Sequence, residues 1–159
     1  MLLGLAAGPR PARACEEVLF TIERSLNANV VVYEALLEPT GAFLARKPVD
    51  VNWILKATTG EREGLNFIEK GVYGYHVEPP APDGSVVIRL KARRNLPITL
   101  RKEGDCAGAW APISGREARL AKVWVQVKGR GIFSRTVEYL DVIGFDPATA
   151  GEVRERIVP

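Results

Sequence analysis

A cluster of polar side chains separates two apolar runs near the start of the chain, between Leu19 and Ala35. Its members are Glu23, Arg24, Ser25, Asn27 and Asn29. An arginine followed by two asparagines can line a pocket with hydrogen-bond donors, which suits a carboxylate, a phosphate or a sugar. Alternatively, Asn27 and Asn29 take left-handed backbone positions and Ser25 bonds to nearby amides, as in many hairpin loops. The sequence leaves both interpretations open.

A second set of residues that can do chemistry lies between positions 61 and 77. We expect Asn66, Glu69, Tyr75 and His76 to form the other half of a ligand-binding pocket. His76 is the only histidine, so any Ser-His-Asp or Cys-His mechanism would require it. The chain has no G-x-S-x-G nucleophile motif, so we interpret His76 as a surface or rim residue. A hydrolase that acts through Glu23 and Glu69, with His76 or Tyr75, is the catalytic alternative.

The positive charge is concentrated in one region of the chain. The 22 Lys and Arg residues exceed the 19 Asp and Glu residues only slightly, and this mild excess makes nucleic-acid binding unlikely. Strands at 86–92 and 96–100, joined by a turn near 94–95, would place Arg89, Lys91 and Arg101 side by side. This basic face can meet an anion, or it can be a solvated face whose charges discourage aggregation.

Motifs for metals and cofactors are absent from the sequence. The histidine and the two cysteines lack C-x-x-C or H-E-x-x-H spacing, and there is no Walker loop. Asp141, Asp146 and Glu69 could converge as carboxylate ligands, but nothing in the sequence brings them together. We predict no cofactor and no metal site.

The first residues of the chain have some features of an export signal. A short apolar run at 2–7 is followed by Ala12-Arg13-Ala14, which has the small-x-small form of a signal peptidase site. We expect residues 1–16 to be an N-terminal arm or a signal-peptide remnant, and the protein to be periplasmic or secreted, with a cytoplasmic location as the alternative. In an oxidising compartment Cys15 and Cys106 could pair; otherwise both would be free thiols. No apolar run has the roughly 18 residues of a spanning helix.

Most of the chain has the alternating pattern of half-buried strands. We predict strands at 18–23, 30–36, 49–57, 72–77, 86–92, 96–100, 121–128 and 136–143, and a short helix at 61–70 capped by Thr58 and Glu61. Trp53 is expected in the core. About eight strands at this spacing indicate a mainly β fold, an antiparallel β-sandwich that forms a single domain over residues 17–159.

Five segments together resemble a bacterial family known as the domain of unknown function numbered 4833. They are FTIERSLNANVVVYEA from Phe20, VNWIL from Val51, EREGLNFIEKGVYGYHV from Glu61, ISGREARLAKVWVQVK from Ile113 and VEYLDVIGFDPATAGEV from Val137. The resemblance implies a single β-rich domain, often exported, with no established activity. Beside the two polar segments, it draws attention to Gly74.

Three functional hypotheses follow from these features. The first is a non-catalytic binding module, exported from a bacterial cell, that holds a polar or anionic ligand between the 23–29 loop and the 61–76 segment. The second is the carboxylate-dependent hydrolase. The third is an assembly domain that docks on another chain through Trp124, which shares a polar sheet face with Lys122 and Gln126. The oligomeric state is not predicted.

Overall fold

The computed structural model describes residues 18–129 and 136–159, which form eleven strands and one helix. The strands are β1 (Val18–Arg24), β2 (Asn27–Ala35), β3 (Val49–Ile54), β4 (Arg62–Gly64), β5 (Tyr75–Val77), β6 (Val86–Leu90), β7 (Arg93–Glu103), β8 (Cys106–Ile113), β9 (Arg116–Lys128), β10 (Thr136–Phe145) and β11 (Glu152–Ile157). The helix, α1 (Phe67–Tyr73), lies between β4 and β5 in the chain. The fold is therefore mainly β, as predicted.

Strand β9 organises the sheet because it pairs with three other strands. Its residues 116–119 pair antiparallel with β8, and its residues 122–125 pair with β1 in the parallel sense. The opposite edge pairs with β10, which in turn pairs with β11. The main path through the sheet is β4-β3-β2-β1-β9-β8-β7-β6-β5. The sheet curls into a half-barrel rather than forming two packed layers.

The core lies on the inner face of this curled sheet. The strand alternation places it there, since Val86, Ile88 and Leu90 are buried while the residues between them are partly exposed. Phe20 and Tyr33 stack across β1 and β2 with ring centroids 4.2 Å apart. Burial raises the pKa of the Tyr33 hydroxyl above its usual range. Trp53, predicted in the core, is only 8% exposed.

The prediction of an eight-strand sandwich is wrong in its finer detail. Three described strands were not predicted: β4, β8 and β11. Strand β8 contains Gly108 and Pro112, which lower strand propensity, and β11 alternates charged residues with apolar ones that are only half-buried. The sheet stays continuous because one edge of the long strand β9 pairs with β8 along its first part and with β1 further on. Local sequence patterns do not reveal such long-range pairing.

The predicted helix at 61–70 is displaced towards the C-terminus. Residues 62–64 pair with β3 as β4, so the helix begins only after Asn66. Asn66 is the N-cap in place of Thr58: its side chain accepts from the Glu69 N–H, and the Glu69 side chain accepts from the Asn66 N–H. The predicted strand at 72–77 shortens to β5, because the helix continues through Gly71 to the buried Tyr73.

Several expectations concern residues outside the described ranges. Residues 1–17, which include the export-like segment and Cys15, are outside them, while Cys106 begins β8. The cysteine pairing and the domain boundary at residue 17 stay predictions. Within residues 18–129 and 136–159, no helix is long and apolar enough to cross a membrane.

Candidate functional site

The β1–β2 hairpin turns through Ser25 and Leu26, and each polar residue near the turn has a different role. The left-handed position belongs to Leu26, with φ of 64°, so the prediction that Asn27 and Asn29 occupy such positions is wrong. The tight connection needs one such residue, and both asparagines are already in strand β2. Leu26 is 72% exposed, so packing of its side chain in the core does not offset the cost of the left-handed conformation.

Ser25 is used by the fold, as the conformational alternative proposed. Its hydroxyl accepts from the Val127 N–H at 2.9 Å and donates to the Val127 carbonyl at 3.3 Å. Its backbone N–H donates to the Val125 carbonyl at 3.0 Å. Ser25 therefore continues the pairing of β1 with β9 past the end of β1.

The two asparagines use their side-chain oxygens to shape the local backbone. The Asn27 Oδ1 atom accepts from the Asn29 N–H at 2.9 Å, and the Asn29 Oδ1 atom accepts from the Ala57 N–H at 3.1 Å. Their side-chain nitrogens have no hydrogen-bond partner among the described residues. The oxygens of the two asparagines therefore serve the fold, while their side-chain N–H donors are not used by it.

The polar residues of the two sequence segments meet at one cavity of about 250 Å³, here called the polar cavity. It is lined by Arg24, Asn27, Asn29, Trp53, Leu55, Glu63, Gly64, Asn66 and Glu69. Two structural features bring the segments together. Strand β3 pairs with both β2 and β4, and Tyr33 in β2 donates to the Tyr73 carbonyl at the end of α1, with an O···O distance of 2.7 Å.

Charges of both signs line the polar cavity. The Arg24 side chain has neither an ion pair nor a hydrogen bond within the described part of the chain, although Glu63 and Glu69 line the same cavity. Burial raises the pKa of the neighbouring Tyr73 hydroxyl; the Arg24 guanidinium opposes this rise and the Glu69 carboxylate adds to it. Arg24 is therefore close enough to α1 to affect the pKa of Tyr73, but it forms no ion pair with Glu69.

Two buried polar atoms behind the cavity lack hydrogen bonds. They are the indole Nε1 atom of Trp53 and the hydroxyl of Tyr73, two rings that meet edge-to-face with centroids 5.4 Å apart. An unpaired buried polar group costs about 1–3 kcal/mol. Of these two residues only Trp53 lines the polar cavity, and its Nε1 atom is buried rather than exposed to the cavity.

A second cavity of about 520 Å³ shares Arg24 and Asn27 with the polar cavity. Here called the Trp124 cavity, it is also lined by Glu23, Ser25, Leu26, Ala28, Val30, Lys56 and Trp124. The Glu23 carboxylate accepts from Lys122 Nζ at 3.0 Å. Glu23 and Glu69 therefore line different cavities.

Tyr75 belongs to a third cavity of about 410 Å³, which the sequence did not predict. Its hydroxyl donates to the Val49 carbonyl at 2.7 Å and accepts from the Val49 N–H at 3.1 Å, and burial raises its pKa. Lys91, assigned from the sequence to the basic face, lines this same cavity. His76 projects from β5 as an exposed residue and lines none of the three cavities.

The residues of the predicted basic face, Arg89, Lys91 and Arg101, do not lie side by side. The β6–β7 turn lies at 91–92, not at 94–95, and Arg89 pairs in register with Pro97. Arg101 is four residues beyond Pro97, about 13 Å along the strand. Arg89 forms an ion pair with Glu78 and Arg101 with Glu117, so these two charges are neutralised locally.

The carboxylates considered for a cation site have other partners. Asp141 is 1% exposed and is bound by Arg156, at 2.8 Å, and by Arg154, at 3.3 Å. The hydrogen bond from Arg156 contributes most to holding the pKa of Asp141 below its usual value. Asp146 pairs with Arg116. Within the described ranges, no group of three or more His, Cys, Asp or Glu side chains is placed to hold a metal ion.

Sequence reasoning missed Glu63 and the cavity role of Trp53. Glu63 was placed inside the predicted helix, and Trp53 was assigned wholly to the core. The adjacency of the two follows from the β3–β4 register, in which Trp53 is opposite Glu63. No local sequence pattern signals this pairing, because all three residues of β4 are exposed.

The fold and the cavities define a mainly β domain with a polar cavity between a hairpin and a short helix. The model of one family, described as Domain of unknown function (DUF4833), matches residues 20–156. The chain therefore belongs to this family, as the sequence resemblance indicated. No curated protein matches the chain. No solved structure matches it either.

Proposed function

We propose that this domain is a binding module whose polar cavity holds a small polar ligand with an anionic group. One observation carries the proposal: Arg24 lines this cavity without an ion-pair partner among the described residues, beside the free amide donors of Asn27 and Asn29. A guanidinium offers several N–H donors in a planar fork, which suits a carboxylate or phosphate. The anionic group of the ligand would bind at this wall.

The opposite charges of the cavity define the rest of the ligand. Glu63 and Glu69 can accept hydrogen bonds from hydroxyl or ammonium groups, so the ligand would carry such donors as well as its anion. The cavity volume of about 250 Å³ is below the roughly 300–1,000 Å³ typical of sites for drug-sized molecules. A sugar acid or an amino acid has the required size and both kinds of group.

The test is a thermal-shift screen of sugar acids, amino acids and phosphorylated sugars, followed by calorimetric titration of any hit. We expect Arg24→Gln to weaken binding at least tenfold, because the charge that anchors the anion is removed. Arg46→Gln is the matched control, since Arg46 is an exposed arginine that lines none of the three cavities. If every hit binds the Arg24 variant and the control equally well, or if the screen yields no hit, the proposal is wrong.

The hydrolase alternative receives less support from the geometry. The pair of carboxylates predicted for it is divided, because Glu23 lines the Trp124 cavity, paired with Lys122, while Glu69 lines the polar cavity beside Glu63. His76 is exposed and joins neither. The assembly alternative rested on an open Trp124 face. The Trp124 side chain is instead half-buried in a cavity wall, and its Nε1 atom donates to the Gln126 side chain at 3.2 Å.

Export from the cell is part of the proposal. Its support is the apolar run at 2–7 followed by Ala12-Arg13-Ala14, a pattern typical of signal peptidase sites. Mass spectrometry of the protein purified from its native cells tests this directly. A mature N-terminus just after Ala14, in a periplasmic or culture fraction, is the expected result, and an intact chain in the cytoplasm would contradict it.

A further inference from the structure

Three lysines from separate parts of the chain converge on the third cavity, here called the lysine cavity. Lys47 precedes β3, Lys70 is in α1, and Lys91 follows β6. The cavity measures about 410 Å³ and is lined in addition by Val49, Asp50, Val51, Asn52, Gly64, Leu65, Gly74 and Tyr75. The polar cavity shares only Gly64 with it, so the two are separate sites.

The charges of the lysine cavity are not balanced. Lys70 and Lys91 have no acidic partner among the described residues. Lys47 pairs with Asp50 at 3.0 Å, but the two side chains are 65% and 38% exposed, and such surface pairs contribute little. Hydrogen bonds from Asn52 and Lys47 hold the pKa of Asp50 below its usual value. With Asp50 ionised, the lining retains an excess of two positive charges.

The backbone at Gly74 brings two of these lysines together. The Lys91 N–H donates to the Gly74 carbonyl at 2.9 Å, while the Gly74 N–H donates to the Lys70 carbonyl at 3.1 Å. A Cβ atom at position 74 would lie 2.3 Å from the Lys70 carbonyl oxygen and 3.4 Å from Cε of Lys91. The absence of a side chain therefore lets the Lys91 stem lie against the end of α1. These backbone hydrogen bonds fix the relative positions of the Lys70 and Lys91 main chains, whatever the conformations of their side chains.

The remaining wall is apolar. Val51, Leu65 and the ring of Tyr75 are half-buried, and Val49 is fully buried. The Tyr75 hydroxyl is already occupied by both backbone groups of Val49, so this residue offers its ring rather than a donor. A cationic rim around an apolar wall fits a ligand that has one anionic group and an apolar body.

We propose that the lysine cavity binds a small amphipathic anion: a carboxylate, sulfate or phosphate attached to a short alkyl or aryl group. Lys70 and Lys91 hold the anion, with Lys47 at the rim, and the apolar group contacts Val51, Leu65 and Tyr75. A concave site with charges of one sign raises the local concentration of an oppositely charged ligand. This site does not depend on the polar cavity or on the ligand proposed for it.

The test uses sodium octanoate and inorganic phosphate as probes, followed by two-dimensional amide NMR on the full chain. We expect octanoate to shift the resonances of Val51, Leu65 and Tyr75 and to bind at least tenfold more tightly than phosphate. The double variant Lys70→Gln/Lys91→Gln should weaken octanoate binding at least tenfold. It should stay folded, because neither side-chain amine is hydrogen-bonded among the described residues.

Two controls make the outcome decisive. Lys128→Gln removes one exposed lysine that lines none of the three cavities, and it should bind octanoate as the wild type does. Arg24→Gln should also leave octanoate binding unchanged, which separates this site from the polar cavity. Equal affinity in the double variant, shifts confined to other parts of the sheet, or phosphate binding as tightly as octanoate would each overturn the proposal.

Discussion

Adjacent residues at the end of β1 should respond to substitution in opposite ways. Ser25→Ala removes the two hydrogen bonds to the Val127 backbone, of 2.9 and 3.3 Å. At about 1 kcal/mol for each bond, and with some replacement by water at this half-buried position, the free energy of unfolding should fall by about 1–2 kcal/mol. Arg24→Gln removes no described hydrogen bond or ion pair. Its effect on stability should stay within about 0.5 kcal/mol.

Urea unfolding at pH 7, followed by tryptophan fluorescence, measures both values, provided that the slope of free energy against urea is unchanged. Arg46→Gln gives the baseline for losing an exposed arginine. The reasoning fails if Arg24→Gln destabilises the domain as much as Ser25→Ala does. Arg24 would then be a structural residue, and the ligand proposed for the polar cavity would lose its anchor. Equal stability of Ser25→Ala and the wild type would instead show that the two hydrogen bonds between Ser25 and the Val127 backbone do not stabilise the domain.

Three further substitutions test the fold around the cavities. Asp141→Asn should lower stability at pH 7 by about 1–3 kcal/mol, because charged hydrogen bonds are lost. The hydrogen bond from Arg156 holds the folded pKa of Asp141 below its usual value of 3.8, so this contribution is fully present above about pH 4 and is lost as the pH falls through the folded pKa. The difference in urea midpoint between wild type and Asp141→Asn should therefore be largest at pH 7 and should narrow as the pH is lowered below 4. Tyr33→Phe should cost about 1–3 kcal/mol in the same assay, since it leaves the Tyr73 carbonyl without its buried donor. Gly74→Ala should cost about 1–3 kcal/mol although its φ of −64° is ordinary, because the new Cβ meets backbone atoms of Lys70; a stability equal to wild type would contradict the close approach.

The parts of the fold that the sequence predicts are those governed by local alternation. Strands β1, β2, β6 and β10 begin within a few residues of their predicted starts. The alternation is strict in β6, whereas β2 is recognised by its run of buried β-branched residues. Strand β4 is beyond such reasoning. All three of its residues are exposed, and it exists because it pairs with the edge of β3. The sandwich expectation failed for a related reason, since the pairing of β9 is a long-range property.

Only part of the candidate site could be predicted from the sequence. The sequence predicted Arg24, Asn27, Asn29, Asn66 and Glu69 as ligand-binding residues, and all five line the polar cavity. Glu23 and Ser25, predicted with them, line the Trp124 cavity. The sequence also assigned Tyr75 and His76 to that group. Successive residues of a strand lie on opposite faces, so Tyr75 lines the lysine cavity while the adjacent His76 is exposed.

In the hairpin, side-chain oxygens bond to the backbone whereas side-chain nitrogens do not. This difference is the strongest reason to regard the polar cavity as a site. Most oxygen atoms of the cluster have backbone partners: the Ser25 hydroxyl bonds to Val127, and the two asparagine oxygens bond to amides. The groups left over are all donors, namely the Arg24 guanidinium and the asparagine amide nitrogens, and their residues line the same cavity. A purely structural loop would need only the oxygens, for which serine or aspartate suffices. None of these donors is among the buried atoms that lack a partner, so they remain accessible at the cavity, where a ligand that supplies acceptors can bind them.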